Sequence, residues 1–233
     1  LAGAVAVLNE AGASLVGGHT SEGAELSLGL SLTGLVDEGR ALRKAGLRPG
    51  HRLILTKPIG TGTLFAAHMR LKAKGRWIDG AIRSMLQSSR DAADLLVDHG
   101  AVACTDVTGF GLLGHLVEMT RASGVDVELR LDAVPALDGA LETSGAGWLS
   151  SLHPHNVRLR RAVEDVDTVG SHPGYRLLFD PQTAGGLLAG VPEEQTAGCL
   201  EALRAAGYHA AAEIGIVSAR SDGAPVRVIG SAG

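Results

Sequence analysis

The chain has 233 residues, of which 45% are hydrophobic and 20% are charged, a composition ordinary for a globular protein with a buried core. The net charge of −4 and the 3% aromatic content give no basis for a nucleic-acid or membrane partner. No apolar run approaches the roughly 18 residues of a membrane span, and two cysteines are too few for a disulfide framework, so we expect a cytoplasmic protein.

The first 50 residues predict a small region that leads into a linker. The predicted elements are a helix at 1–10 ended by Gly12, a short strand at 14–16, and a half-buried strand at 25–36, where apolar residues alternate with small or polar ones. Residues 37–50 are charged and contain Gly and Pro, which favours a linker. We place a domain boundary there and predict domains at 1–45 and 46–233.

The rest of the chain alternates between predicted strands and helices. The strands are expected at 51–56, 101–105, 125–131, 187–191, 212–217 and 225–229, and the helices at 64–74 (capped by Thr61 or Thr63), 78–99, 110–122 and 193–206. Residues 138–167 predict one short helix, a loop at SLHPHN and a second helix from Val157. The order favours an α/β fold of the α+β type, with helices on a mostly mixed sheet.

Three glycine-containing loops are the candidate functional segments. They are GGHTSE at 17–22, TDVTGFGLLGH at 105–115 and DPQTAGGLL at 180–188. Asp106 follows a predicted strand, where its carboxylate could be a Mg²⁺ ligand beside substrate phosphates. It could equally cap the next helix by accepting N–H groups around Thr108 and Gly109. The residues alone leave both interpretations open.

Other polar residues have simpler interpretations. Asp180 precedes a proline, a pattern typical of turns, and the Gly185–Gly186 pair favours close packing. His153 and His155 could bind metal, although an HPH loop is more typical of surface. Cys104 fits a buried strand better than a nucleophile. The basic cluster of Arg158, Arg160 and Arg161 could meet phosphate but is more typical of a solvated helix face.

Together the three loops, with LSLTGLV at 30–36 and LILTKPIGTG at 53–62, resemble the selenophosphate synthetase (selenide, water dikinase) family. That family belongs to a larger group of ATP-using proteins that includes aminoimidazole ribonucleotide synthetase. The resemblance covers nearly the whole chain. TKPIGTG, TDVTGFGLLGH and DPQTAGG favour the selenophosphate branch over its cousins.

The resemblance implies both an activity and a set of site residues. The full enzyme would convert ATP, selenide and water to selenophosphate, AMP and phosphate with Mg²⁺, as a homodimer. It would have an N-terminal ATP-binding and dimerisation domain, of which residues 1–45 would be a remnant, and a C-terminal α/β domain. By motif position, Asp106 matches the family's metal-binding aspartate, and Gly17, Gly18 and His19 match its ATP-contacting loop. Asp180 and Thr183 are weaker candidates.

The sequence also departs from the family pattern. The family's glycine-rich segment with a reactive Cys or selenocysteine, its nearby Lys and its other metal-binding aspartates are not found, so no catalytic residue is assigned. We expect a fragment that is inactive alone. The alternatives are a nucleotide-binding or assembly module that pairs through the strand at 25–36, and a related enzyme acting on a purine, thiamin or hydrogenase-maturation substrate.

Overall fold

The computed structural model describes residues 1–164 and 169–230, and the chain divides into two units, Leu1–Asp37 and Glu38–Gly233. The first unit contains helix α1 (Ala2–Glu10), which ends before Gly12 at a φ of +70° and confirms the predicted helix. The strands predicted at 14–16 and 25–36 are wrong, because no strand forms within residues 1–37. Extended backbone becomes a strand only when a neighbouring strand pairs with its N–H and C=O groups.

The second unit is built on a mixed sheet. Its strands are β1 (Arg52–Leu55), β2 (Ala103–Asp106), β3 (Asp126–Arg130), β4 (Val163–Glu164), β5 (Leu187–Val191), β6 (Ala212–Ser218) and β7 (Val226–Ile229). Their order is β2-β5-β1-β6-β3-β7-β4. The pairs β3–β7 and β4–β7 are parallel and the other neighbours are antiparallel. The predicted mixed sheet is confirmed.

Helices cover both faces of this sheet. They are α2 (Thr61–His68), α3 (Gly75–Leu86), α4 (Arg90–Asp98), α5 (Gly111–Ser123), α6 (Ala140–Gly145), α7 (His153–Asn156) and α8 (Glu193–Ala205). Leu53 and Leu55 of β1 join a large core with α5, whereas Ile54 between them joins a smaller core with α4 and α8. A strand that buries alternate residues on opposite faces needs the continuous apolar run found here.

One predicted helix is two helices in the structure. The helix expected at 78–99 is broken between α3 and α4, where Gln87 has an extended backbone. The Ser88 hydroxyl accepts the N–H of Arg90, and the carbonyl of Ser88 accepts the Tyr208 hydroxyl. These hydrogen bonds replace those that a continuous helix would make, as serine side chains commonly do at helix ends.

Two other boundaries differ from the prediction. Helix α2 begins at Thr61 and ends at His68, so it neither starts at Leu64 nor reaches Lys74. Residues 153–156 form α7 where a loop was expected, and the helix expected from Val157 is a 3₁₀ helix, Val157–Ala162, followed by β4. The remainder of that prediction, from 165 onwards, lies outside the described residues. None of the described helices is long and apolar enough to cross a bilayer.

Candidate functional site

Three loops of the second unit meet at one end of the adjacent strands β1, β5 and β2. Strands β1 and β2 both end where β5 begins, because both pair antiparallel with β5. The Val107 N–H donates to the Gly186 carbonyl at 2.9 Å, and the Gln182 N–H donates to the Thr108 carbonyl at 2.9 Å. The segments TKPIGTG, TDVTGFG and DPQTAGG, which are far apart in sequence, therefore form one junction.

Glycine is required at this junction because the backbones touch. A Cβ on Gly185 would lie 2.1 Å from the Val107 carbonyl oxygen, and one on Gly186 would lie 2.5 Å from the Lys57 nitrogen. Non-bonded atoms do not approach so closely without movement of the backbone. The interpretation of the Gly185–Gly186 pair as close packing is thus supported by the geometry.

Gln182 and Asp180 cap the N-terminus of α2. The Gln182 side-chain oxygen accepts the N–H groups of Gly60 at 2.8 Å and Thr61 at 3.1 Å. The Oδ2 atom of Asp180 accepts the Gly62 N–H at 3.0 Å and a hydrogen from the Gln182 amide. The first N–H groups of a helix have no partner within it, so the DPQ turn supplies one. Neither Thr61 nor Thr63 makes the predicted cap, since Gly60 occupies that position without a side-chain hydrogen bond.

The Asp180 carboxyl is an unusual acid. Its side chain is 1% exposed, and Oδ1 has no hydrogen-bond partner of normal geometry among the described residues. Burial raises the pKa of Asp180 to about 7, against the opposing effect of the surrounding N–H donors. Asp180 is therefore a buried helix cap that titrates near neutrality, rather than the simple turn residue expected from the sequence.

Lys57 is the second buried polar group of the junction. It is 2% exposed, and its Nζ donates to the carbonyls of Gln87 at 2.6 Å, Ser84 at 3.1 Å and Ala184 at 3.3 Å. Burial lowers the pKa of Lys57. Because the first two carbonyls end α3 and the third belongs to the DPQTAGG loop, Lys57 joins a helix end to the junction.

Asp106 lies at the end of β2 with an exposed side chain. Its carboxylate makes no hydrogen bond or ion pair with any residue that the structure describes. It does not cap α5, which begins after Phe110 without a side-chain cap. The cap interpretation is therefore wrong. As a hard, accessible oxygen donor at the end of β2, Asp106 fits one ligand position of a Mg²⁺ ion that takes its other oxygens elsewhere.

His115 holds the loop that follows Asp106, and the sequence analysis missed it. The His115 ring is 4% exposed, and its Nε2 lies 3.1 Å from the Thr108 nitrogen. Thr108 donates its N–H, so Nε2 must be unprotonated. Burial is the main cause that lowers the pKa of His115. The only sequence signal was a histidine flanked by apolar residues, seven positions after Thr108.

The candidate loop GGHTSE at 17–22 lies in the first unit. Gly17, Gly18 and His19 are exposed and have no regular secondary structure. A Cβ on either glycine would meet nothing within 4 Å. Within its unit this loop is open, as an ATP-contacting loop must be, and its role remains a prediction.

The remaining candidate residues differ in how deeply their side chains are buried. Burial raises the pKa of Cys104 to about 12, so its thiol is not a thiolate at neutral pH. His153 is buried and His155 is exposed, which does not fit the expectation of a solvated HPH loop. Within the described part of the chain, no three His, Cys, Asp or Glu side chains are grouped as metal ligands. Thr183 donates its N–H to the Thr61 hydroxyl at 2.9 Å.

The fold and the sequence place the chain in a known family. Residues 48–227 match the family described as AIR synthase related protein, C-terminal domain. The chain belongs to this family. A crystal structure of the hydrogenase maturation protein HypE has the same fold, with a TM-score of 0.59 and 21% identity over 84% of this chain and 54% of that one. The predicted fold class is confirmed.

Relatives similar in sequence point to a narrower group within this family. A selenide, water dikinase of Geobacter metallireducens is 43% identical over 222 residues, which are 94% of this chain and 64% of that protein. One of Pelobacter propionicus is 42% identical over 210 residues, or 90% of this chain and 60% of that protein. The resemblance to selenide, water dikinases is confirmed, and the chain spans less than two thirds of the length of these relatives.

Proposed function

We propose that the chain is the C-terminal portion of a selenide, water dikinase. In full-length form this enzyme converts ATP, selenide and water to selenophosphate, AMP and phosphate. The observation that carries the proposal is the 43% identity to a protein of that name over 94% of this chain. The junction of TKPIGTG, TDVTGFG and DPQTAGG supports it, because the three segments that distinguish the branch form one structural unit.

Within this proposal Asp106 supplies one ligand to Mg²⁺. The ion, when bound, would neutralise charge on the ATP phosphates, which is the main requirement of phosphoryl transfer. His115 and Thr108 hold the adjacent loop at a hydrogen-bond distance of 3.1 Å. Gly17, Gly18 and His19 would contact ATP. Lys57, Gln182 and Asp180 stabilise the junction.

We also propose a domain division, a homodimer and a cytoplasmic location. Residues 1–45 would belong to an ATP-binding and dimerisation domain, and residues 46–233 to the C-terminal domain. The exposed side chains of Leu26, Leu28, Leu30 and Leu32 support dimerisation, since they alternate along an extended segment. Light scattering of the full-length gene product tests the proposed homodimer. A clean monomer at micromolar concentration would contradict it.

Selenide-dependent AMP formation by the full-length gene product tests the function. With ATP and Mg²⁺, we expect AMP to form only when selenide is added. A related enzyme that acts on a purine or thiamin intermediate would use ATP without selenide. ATP consumption that does not respond to selenide would therefore replace the proposed function with that alternative.

A further inference from the structure

A small cavity outside the three-loop junction has the composition of an anion site. It lies between α7, the 3₁₀ helix Val157–Ala162 and a second 3₁₀ helix, Tyr175–Phe179, and its volume is about 280 Å³. The function proposed above gives this cavity no role, and the inference does not depend on that function.

Two buried polar atoms of the cavity residues lack partners. Among the residues that the structure describes, the Nδ1 atom of His153 and the hydroxyl of Tyr175 have no hydrogen-bond partner, although the two residues are only 5% and 8% exposed. Both rings make edge contacts with the Phe179 ring, with centroids 6.2 Å and 5.2 Å away, which hold them in place. Buried polar groups are nearly always hydrogen-bonded. A ligand that accepts hydrogen bonds would satisfy both.

Two arginines line the same cavity. Arg160 and Arg176 are exposed, and neither guanidinium makes a hydrogen bond or ion pair with a residue that the structure describes. Both arginines act electrostatically on the buried groups. The pKa of His153 is lowered by burial and, to a smaller extent, by Arg176. The pKa of Tyr175 is raised by burial, and Arg160 partly offsets this rise. The cavity thus combines two unpaired cations with two unpaired hydrogen-bonding groups.

We propose that this cavity binds a small tetrahedral oxyanion of the size and charge of inorganic phosphate. Two guanidinium groups match its double charge and can each donate two hydrogen bonds. The Tyr175 hydroxyl donates a further one, and His153 donates from Nδ1 in the tautomer that carries hydrogen there. A volume of about 280 Å³ has room for such an ion, and the charged and hydrogen-bonding side chains of the cavity are all donors suited to an oxyanion.

Titration of the chain with inorganic phosphate tests the site. The ring resonances of His153, assigned by their loss in His153→Gln, are followed by NMR at fixed pH and at an ionic strength held constant with chloride. We expect saturable shifts. The double variant Arg160→Gln/Arg176→Gln should weaken binding at least roughly tenfold, because each charge-assisted hydrogen bond contributes more than a neutral one.

Two further variants and a second ligand separate this site from non-specific attraction. Arg158→Gln, which removes an exposed arginine of the same segment that does not line the cavity, should leave the affinity within about twofold, as expected of a screened surface charge. Tyr175→Phe should weaken binding several-fold without loss of thermal stability, since the hydroxyl it removes has no partner among the described residues of the free chain. AMP should bind at least roughly tenfold more weakly than phosphate, because its ester bond removes one free oxygen that would accept a charge-assisted hydrogen bond. The absence of saturation, an equal effect of Arg158→Gln, or AMP binding as tight as that of phosphate would overturn the proposal.

Discussion

At the scale of single residues, Asp180 makes the stability of the chain depend on pH. Its pKa is about 7 in the folded chain and about 3.9 in an unfolded one. Between these values the folded state holds a proton that the unfolded state has released. The stability that Asp180 contributes is therefore complete below pH 4 and is lost as the pH rises to 7.

Replacement of Asp180 by asparagine removes this dependence while it retains the acceptor that caps α2. We expect wild type to lose on the order of 4 kcal/mol relative to Asp180→Asn between pH 4 and pH 8, at 1.36 kcal/mol for each pKa unit. Urea denaturation of both proteins across this range measures the difference. Asp138→Asn, which removes an exposed carboxylate, is the control. A constant difference between wild type and Asp180→Asn would show that Asp180 titrates normally.

The role that we propose for Asp106 concerns chemistry rather than stability. In the full-length gene product, Asp106→Asn should lower selenide-dependent AMP formation at least about 100-fold, since even hydrogen-bond partners of metal ligands cost roughly 10–100-fold. Added Mg²⁺ should restore part of the loss, because the variant weakens metal binding. A normal rate for Asp106→Asn, or a loss equal to that of Asp138→Asn, would remove Asp106 from the proposed metal site.

At the scale of elements, Gly185 of the loop DPQTAGG and Gly109 of the loop TDVTGFG differ in how closely they pack against the backbone of other segments. A Cβ on Gly185 would lie 2.1 Å from a backbone oxygen, whereas one on Gly109 would meet nothing within 4 Å. We expect Gly185→Ala to destabilise the chain by about 2–3 kcal/mol, as overpacking does, and Gly109→Ala to change stability by less than about 0.5 kcal/mol. Thermal denaturation compares them. Equal effects would contradict the close packing of the junction.

The elements that the sequence predicted well are those set by local pattern. The strand at 51–56 and the helix from 110 were expected because short apolar runs stand between glycine or proline residues, and Gly124 ends α5 in the left-handed conformation. The break between α3 and α4 was missed because it depends on Lys57 and Tyr208, which are remote in sequence. Local pattern does not contain such contacts.

The candidate site shows the same limit. Asp106 was chosen as a candidate because its loop has a family motif, and that motif is a local feature; its role as a metal ligand stays a prediction. The partners of Gln182 lie 121 and 122 residues away, so its role as a helix cap had no local signal. His115 was missed because a histidine between apolar helix residues is indistinguishable by pattern from a core residue. Side-chain roles across the junction required the fold.

At the scale of the molecule, one carboxylate does not complete a site for ATP with its metal ions. Several oxygen ligands are needed around a triphosphate, and in our proposal Asp106 is one of them. We expect the purified 233-residue chain to form no AMP from ATP above background in the presence of selenide and Mg²⁺. Phosphate release and AMP are measured by chromatography, with the full-length gene product as the positive control. Selenide-dependent AMP formation by the chain alone would refute this expectation.

The order of the strands also determines when the sheet can form during synthesis. Each of β1 to β4 pairs only with strands drawn from β5, β6 and β7, as far as the described residues extend. The ribosome therefore releases four strands before any of their partners exists. Until residues 187–229 emerge, the nascent chain exposes strand edges that are prone to aggregate. A nascent chain stalled before β5 should consequently remain bound by chaperones and sensitive to protease, and should become resistant only after β7 has left the exit tunnel.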